Sequence, residues 1–297
     1  MQALLRVSRS EAERLIHDGF VTVNGRLRTH AHGYLEVGDL LEVEHVVQPT
    51  ISVASKKVPR SPIEIVFDDE SLLVVSKPAH LLTVPTPHRE RNTLQSFLTR
   101  RLQKESKQGQ AYCVHRLDRG VSGLLVFAKT LEVAMQLRDQ FADRKPERKY
   151  IALVHGRLES PKGTIRSYLA TDADLNRYSV DDPTQGELAI THYEQTLSLK
   201  NASMISVQLE TGRRNQIRVH MAELGHPILG DPRYARKELP HAAWPFRRLA
   251  LHAESLGFRH PKTGEELRFK SAWPEEFRSF KRKAGLKQSE RNDRRKE

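Results

Sequence analysis

Hydrophobic and polar positions alternate in three different ways along the chain. Over residues 3–46 short apolar segments are broken by polar turns. Residues 11–17 carry a helical pattern with Ser8 and Ser10 ahead of it as caps, VTVNGR reads as a strand entering a hairpin turn at Asn24-Gly25, and residues 40–46 read as a further strand after Gly38-Asp39. From 48 to 62 periodicity vanishes and Pro, Ser, Thr, Val and Lys dominate, as in a linker. From residue 63 onward strand patterns recur. Residues 63–68 and 71–77 flank the acidic turn DDES. Residues 124–128 form an unbroken apolar run that predicts a strand buried on both faces, opened by Ser122 and Gly123. PERKYIALVHGRL predicts a basic turn entering a strand with Tyr150 at its first position. GTIRSYLA, ELAITHYEQTLSL, ASMISVQLE and LALHAESLGF alternate like antiparallel strands. Helical spacing appears at 93–103, with Leu94, Phe97, Leu98 and Leu102, and at 131–143, with Val133, Met135, Leu137 and Phe141. A third helix ends at Leu224 before Gly225, and either Thr211 or Asn215 can cap it.

These patterns predict an α+β protein: a large mixed, mainly antiparallel sheet flanked by helices, preceded by a small α/β domain. The expected division is 1–47 for the small domain, 48–62 for the linker, 63–284 for the main domain and 285–297 for a basic, disordered tail.

A chain of 297 residues is long enough for two cores, and its net charge of +12 points to a polyanionic partner. An anionic membrane surface would satisfy the charge equally. The absence of a spanning apolar run or a cleavable leader favours a soluble, cytoplasmic protein with no membrane partner, and a monomer is expected. The single cysteine, Cys113, excludes an internal disulfide and a cysteine-rich zinc site, and reads as a small hydrophobe entering a strand.

Chemistry concentrates in YCVHRLDRGVSGLLVFAKT, residues 112–130. Asp118 precedes the buried strand, flanked by His115, Arg116 and Arg119. Neighbouring positive charge favours its anionic form, as a nucleophile or base requires. A second cluster is TGRRNQIRVHMAELGHPILGDPRY, where Arg213, Arg214 and Arg218 crowd a helix N-terminus suited to an anion. His220, His226 and Asp231 lack a ligand spacing on one helix face, so no metal is expected.

The first cluster resembles the catalytic motif of the RluA-type pseudouridine synthases, which reads H-R-L-D, two variable residues, T-S-G and an apolar strand ending in A-K; Val121 stands where that family has Thr. The second resembles the family's G-R-T-H-Q-I/L-R-V-H block, with Arg214 and Asn215 replacing Thr and His. KPAHLLTVP resembles its lysine-proline motif, with His80 where Gly is common. SRSEAERLIHDGFVTVNG followed by VGDLLEVE resembles the small RNA-binding domain called the alpha-L module, with Ser8, Arg9, Arg14 and the Asn24-Gly25 turn matching its pattern.

The resemblance implies isomerisation of uridine in RNA without cofactor or metal. Asp118 would act at the ribose, by covalent attack or by removing a proton. Arg218 would pair with Asp118, Tyr150 would stack on the base, and Arg116 would fill the vacated RNA stack. His115, Arg119, Arg213, Lys77, Arg9 and Arg14 would contact RNA, with Lys77 read either as lying over phosphate or as capping the sheet. Large-subunit ribosomal RNA is the first substrate candidate and transfer RNA the second. The rivals are a non-catalytic RNA-binding or ribosome-assembly factor and a nucleoside hydrolase.

Overall fold

The computed structural model describes residues 16, 21–27, 36, 38–43, 63–86, 90–198, 201–235, 241 and 244–282. Most of the expected first helix, Arg9 and Arg14, the linker 48–62 and the tail 285–297 lie outside the described residues. The chain separates into two compact units, Met1–Arg60 and Ser61–Glu297.

In the first unit, β1 (Val21–Val23) is the centre of a three-stranded antiparallel sheet, flanked by β2 (Arg26–Leu27) and β3 (Leu41–Val43). Asn24 and Gly25 both take positive φ, 52° and 72°, which a two-residue hairpin turn requires. Asn24 also ties the turn to β3, accepting from the Leu40 amide at 2.8 Å and donating to Asp39 at 2.7 Å.

The second unit is built on an eleven-stranded sheet. Its strands are β4 (Glu64–Asp68), β5 (Leu72–Lys77), β6 (Tyr112–Cys113), β7 (Ser122–Ala128), β8 (Glu147–His155), β9 (Lys162–Thr171), β10 (Arg177–Val180), β11 (Glu187–Ser198), β12 (Ala202–Leu209), β13 (Leu251–Arg259) and β14 (Glu266–Lys270). The order is β10-β9-β11-β12-β8-β13-β7-β5-β4, with β14 added to β13 and β6 to β7. Every pairing is antiparallel except β13 with β7. That parallel contact spans two residue pairs, Ser122 with His252 and Gly123 with Ala253. Beyond it, β13 takes β14 as partner and β7 takes β6, so the sheet divides into two arms from this seam.

Gly123 makes the seam possible. Its φ is 115°, and a Cβ there would lie 2.2 Å from the Ala253 carbonyl oxygen. Only glycine permits that approach.

Alternate residues of β5 and β7 enter different cores, as a strand covered on both faces demands. Leu73, Val75, Leu125 and Phe127 join the main cluster, while Leu72, Val74, Leu124 and Val126 join the second. Helix α1 (Leu94–Leu102) closes the first core with Leu94, Leu98 and Leu102; it starts at a capping box in which Thr93 and Ser96 satisfy one another's amides. Helix α2 (Leu131–Ala142) closes the second with Val133, Ala134 and Leu137, while Met135 faces solvent instead of the sheet. Helix α3 (Gln216–Glu223) is buried on nearly all sides. Residues 275–282 are helical and seal Phe277 and Phe280 into the main core.

Two expectations shift. Tyr150 is the fourth residue of β8, because strand pairing with β13 starts at Glu147. The short strand β10 follows from its pairing with β9, which the four residues RYSV do not announce by themselves.

Candidate active site

The loop after β6 carries Asp118 to the start of β7, directly before the seam. Thr83 pins this loop by donating to the Leu117 carbonyl at 2.7 Å and accepting the Leu117 amide at 3.2 Å. Across the seam, β8 brings Tyr150 and α3 brings Arg218 into a pocket with Asp118. Leu117, Val121, Leu209, Ile217 and Leu251 give it apolar walls, and Arg116, Arg213 and Asn215 give it a polar edge. Val121 is buried core as well as pocket wall, so the position where the family motif has Thr presents a methyl surface here.

Arg218 is held on every side. Its Nη1 donates to Asp118 Oδ2 at 2.9 Å and to Asn215 Oδ1 at 3.0 Å. Its other edge meets Asp231, with Nε to Oδ2 at 2.7 Å and Nη2 to Oδ1 at 2.9 Å. Asp231 also accepts the amides of Arg233 and Tyr234, and the Tyr234 ring lies 5.1 Å beneath the guanidinium. Burial opposes the Arg218 charge, but the Asp231 and Asp118 carboxylates more than offset it and raise its pKa above the ordinary arginine value.

The two departures from the family motif are absorbed here. Asn215 takes φ 57°, a left-handed conformation that asparagine tolerates, and bridges Arg218 to the Tyr234 hydroxyl. Arg214 donates to the Leu175 carbonyl at 2.9 Å in the hairpin between β9 and β10. Gln216 locks the N-terminus of α3. Its Oε1 accepts from Thr211 and the Arg213 amide, and its Nε2 donates to Ile190 and Thr191.

Tyr150 is nearly fully buried. Burial pushes its phenol pKa up, the nearby Arg148 charge works against that, and the Asp118 charge adds to it. The ring is therefore a neutral aromatic surface at the pocket wall.

Two of the expected RNA contacts are corrected. His115 is turned inward: its Nε2 accepts the Val126 amide at 3.3 Å, and its ring stacks on Phe141 at 4.5 Å. Burial, reinforced by Arg148, lowers its pKa to about 3, so it carries no charge for phosphate. Lys77 is 1% exposed, with Nζ donating to the carbonyls of Leu81 at 2.8 Å, Pro78 at 3.1 Å and Arg119 at 3.4 Å. Its pKa falls to about 7 through burial, partly countered by Asp118. Of its two readings, the structure takes the internal one: Lys77 braces the loop that presents Asp118.

Arg116 and Arg119 are exposed, the latter held by the His80 carbonyl, and Arg213 lines the pocket while paired with Glu187 at 2.9 Å. His80 takes φ 68°, which explains why glycine suits that position in the lysine-proline motif. Cys113 is inert: its Sγ donates to the His115 carbonyl, and burial lifts its pKa to about 11 against the pull of Arg138 and Arg116. His220, His226 and Asp231 turn to different partners. These are Thr191 and Ser167 for His220, the His155 carbonyl for His226, and Arg218 for Asp231.

Asp231, weighed in the sequence only as a metal ligand, is the anchor of Arg218. The signal available was the Gly230-Asp231 pair; Gly230 has φ 73° and a Cβ there would strike the Arg248 carbonyl oxygen at 2.3 Å.

Comparison with known proteins gives the family. Residues 71–223, which include Asp118, Tyr150 and Arg218, match the family model described as RNA pseudouridylate synthase. The ribosomal large subunit pseudouridine synthase D of Zymomonas mobilis subsp. mobilis is 35% identical over 288 residues, covering 92% of this chain and 88% of that protein. The protein of the same name from Pseudomonas aeruginosa is 35% identical over 287 residues, covering 91% and 85%. Among solved structures, human RNA pseudouridylate synthase domain containing 4 superposes with a TM-score of 0.60 at 23% identity, covering 73% of this chain and 91% of its own, which shows a shared fold. A family match over half the sequence, together with relatives aligned along nearly all of it, means that the chain belongs to the RNA pseudouridylate synthases and is an RNA pseudouridine synthase.

Proposed function

We propose that the enzyme converts specific uridines of large-subunit ribosomal RNA to pseudouridine, with Asp118 acting at the ribose. The observation that carries this reading is the 2.9 Å pairing of Asp118 with Arg218 inside a pocket that also holds Tyr150. The choice of RNA is supported by relatives named ribosomal large subunit pseudouridine synthase D.

The reaction breaks the N1–C1′ bond, turns the uracil and forms a C5–C1′ bond; C5 loses a proton and N1 gains one. It needs an extruded base, a site shielded from water, and a carboxylate at the sugar. Asp118 serves the sugar either by attack or by taking a proton from it. Arg218, immobilised by Asp231, keeps the carboxylate aimed. Tyr150 stacks on the uracil while it turns, and the apolar walls from Val121, Leu209 and Leu251 exclude solvent. Arg116, exposed at the pocket edge, enters the gap left in the RNA stack. Arg119 and Arg213 add positive charge, and the N-terminal unit, through Arg9 and Arg14, adds a second RNA contact.

Carbodiimide mapping of unmodified ribosomal RNA and bulk transfer RNA, after incubation with wild type or Asp118→Asn, tests the proposal. The expected result is a new signal in large-subunit RNA with wild type alone. A signal confined to transfer RNA moves the substrate assignment. Equal signals from both proteins remove Asp118 from the chemistry.

A further inference from the structure

Five cationic side chains are buried among the described residues: Lys77, Arg148, Arg177, Arg218 and Arg248. Arg177 pairs with Glu187 at 2.8 Å, Arg218 with two aspartates, and Arg248 with Glu276 at 3.4 Å. Lys77 sits among three carbonyl oxygens within range of the Asp118 charge, and a lysine can give up its proton. Arg148 has neither remedy. It is 6% exposed and, among the described residues, is paired with no carboxylate. Nη2 donates to the Glu210 carbonyl at 3.0 Å and the Phe141 ring lies 5.4 Å away, while among the described residues the buried Nε has no acceptor and Nη1 makes no hydrogen bond. Its charged neighbour Arg213 has the same sign. A guanidinium stays protonated throughout the working range, so the free protein bears an uncompensated buried charge, which is unfavourable unless a partner arrives.

The location says which partner. Arg148 lies two residues before Tyr150 on β8, so both project from the same face of the strand. The loop into α3 passes directly over it: a Cβ on Gly212 would stand 2.3 Å from Nη1, and Gly212 is followed by Arg213, which lines the pocket. The missing counter-charge is therefore beside the base-stacking wall, where an RNA strand delivering a uridine must run.

We propose that Arg148 is a phosphate receptor: Nη1 donates to a non-bridging oxygen of the phosphodiester next to the nucleotide held in the pocket, with Arg213 flanking it. This rests on the reading that the pocket takes a uridine of RNA. A phosphodiester supplies the acceptor and the negative charge together, and desolvation on binding strengthens the contact. The buried position makes the contact selective for a strand seated deeply enough to present its nucleotide.

The test compares wild type, Arg148→Gln and Arg148→Lys on a short RNA containing the mapped target uridine. A second RNA set replaces the phosphates flanking that uridine one at a time by uncharged methylphosphonates. Arg148→Gln is expected to lower kcat/KM about 10-fold or more on normal RNA and to reduce the slope of log affinity against log salt by roughly 0.7 to 0.9, the share of one phosphate. On the RNA whose key phosphate is neutral, wild type and Arg148→Gln become equal. Arg148→Lys recovers the salt slope, and Arg148→Gln melts no lower than wild type. An identical defect on every methylphosphonate RNA, with an unchanged salt slope and a lower melting temperature, makes Arg148 a packing element and overturns the proposal. Wild type that forms no pseudouridine in any RNA removes the functional reading instead, and the salt slope of large-subunit RNA binding then decides Arg148 alone.

Discussion

Asp231 and Asp118 grip opposite edges of one guanidinium. Asp231 takes Nε and Nη2 of Arg218 at 2.7 and 2.9 Å, which leaves Nη1 for Asp118 at 2.9 Å. A fork held on one edge has a fixed free edge, so the direction of the Asp118 contact is set before substrate arrives.

Asp231→Asn tests that division of labour. The amide keeps one acceptor but turns its NH2 against the guanidinium and leaves a buried arginine half-compensated. The expected loss of stability is on the order of 3 kcal/mol. The enzyme that remains folded is expected to lose 10-fold to 100-fold in kcat with a smaller change in KM. Single-turnover kinetics and thermal melting separate the two effects, and an unchanged kcat would remove Asp231 from the positioning of Arg218.

Lys77 gives a pH dependence with a definite sign. Its pKa drops from 10.5 to about 7 on folding because burial disfavours the ammonium. Between these values the unfolded chain holds a proton that the folded protein releases. The destabilising contribution of Lys77 is thus full below pH 7 and fades as pH rises towards 10.5. Chemical denaturation of wild type and Lys77→Met at pH 7 and pH 9 is expected to show wild type gaining about 2–3 kcal/mol relative to the variant. A constant difference between them would mean that Lys77 stays charged inside the fold.

His220 operates in the opposite part of the pH range. It is buried between Thr191 and Ser167, and burial lowers its pKa from 6.5 to about 4. Stability from keeping this ring neutral is complete above pH 6.5 and disappears as pH falls through 4, because the unfolded chain takes up the proton first. His220→Gln can hold both hydroxyl groups without titrating. From pH 7 to pH 5, wild type is expected to lose about 2 kcal/mol more than this variant; parallel pH profiles would contradict the assignment.

Several features were legible in the sequence because they depend on local pattern. The apolar run of β7, the helical spacing of α1 and the hairpin at Asn24-Gly25 follow from side-chain chemistry within a few residues. The approach of Asp118 to Arg218 was legible through the two family motifs, although 100 residues separate them. Residues whose meaning lies in direction were not legible. Lys77 ends an apolar strand and His115 sits in a charged stretch, and only the packing of β5, β7 and α2 shows that both point inward. Arg148 and Lys149 are adjacent cations on one strand, and β12 and β13 determine which of them is buried. Asp231 reads as a rejected metal ligand until the turn at Gly230 aims it at Arg218.

The seam between β7 and β13 also has a consequence in time. Asp118 belongs to the arm that ends at β7, while Tyr150 and Arg218 belong to the other arm, and the strand that joins them, β13, lies about 130 residues after Ser122. At translation speeds of roughly 5–20 residues per second, a nascent chain carries Asp118 for several seconds before the joining strand has been made. Throughout that interval the β7–β13 pairing that holds the two arms together cannot form. The site of Asp118, Tyr150 and Arg218 thus depends on a strand made after all three residues, and its two arms join only once β13 has left the ribosome.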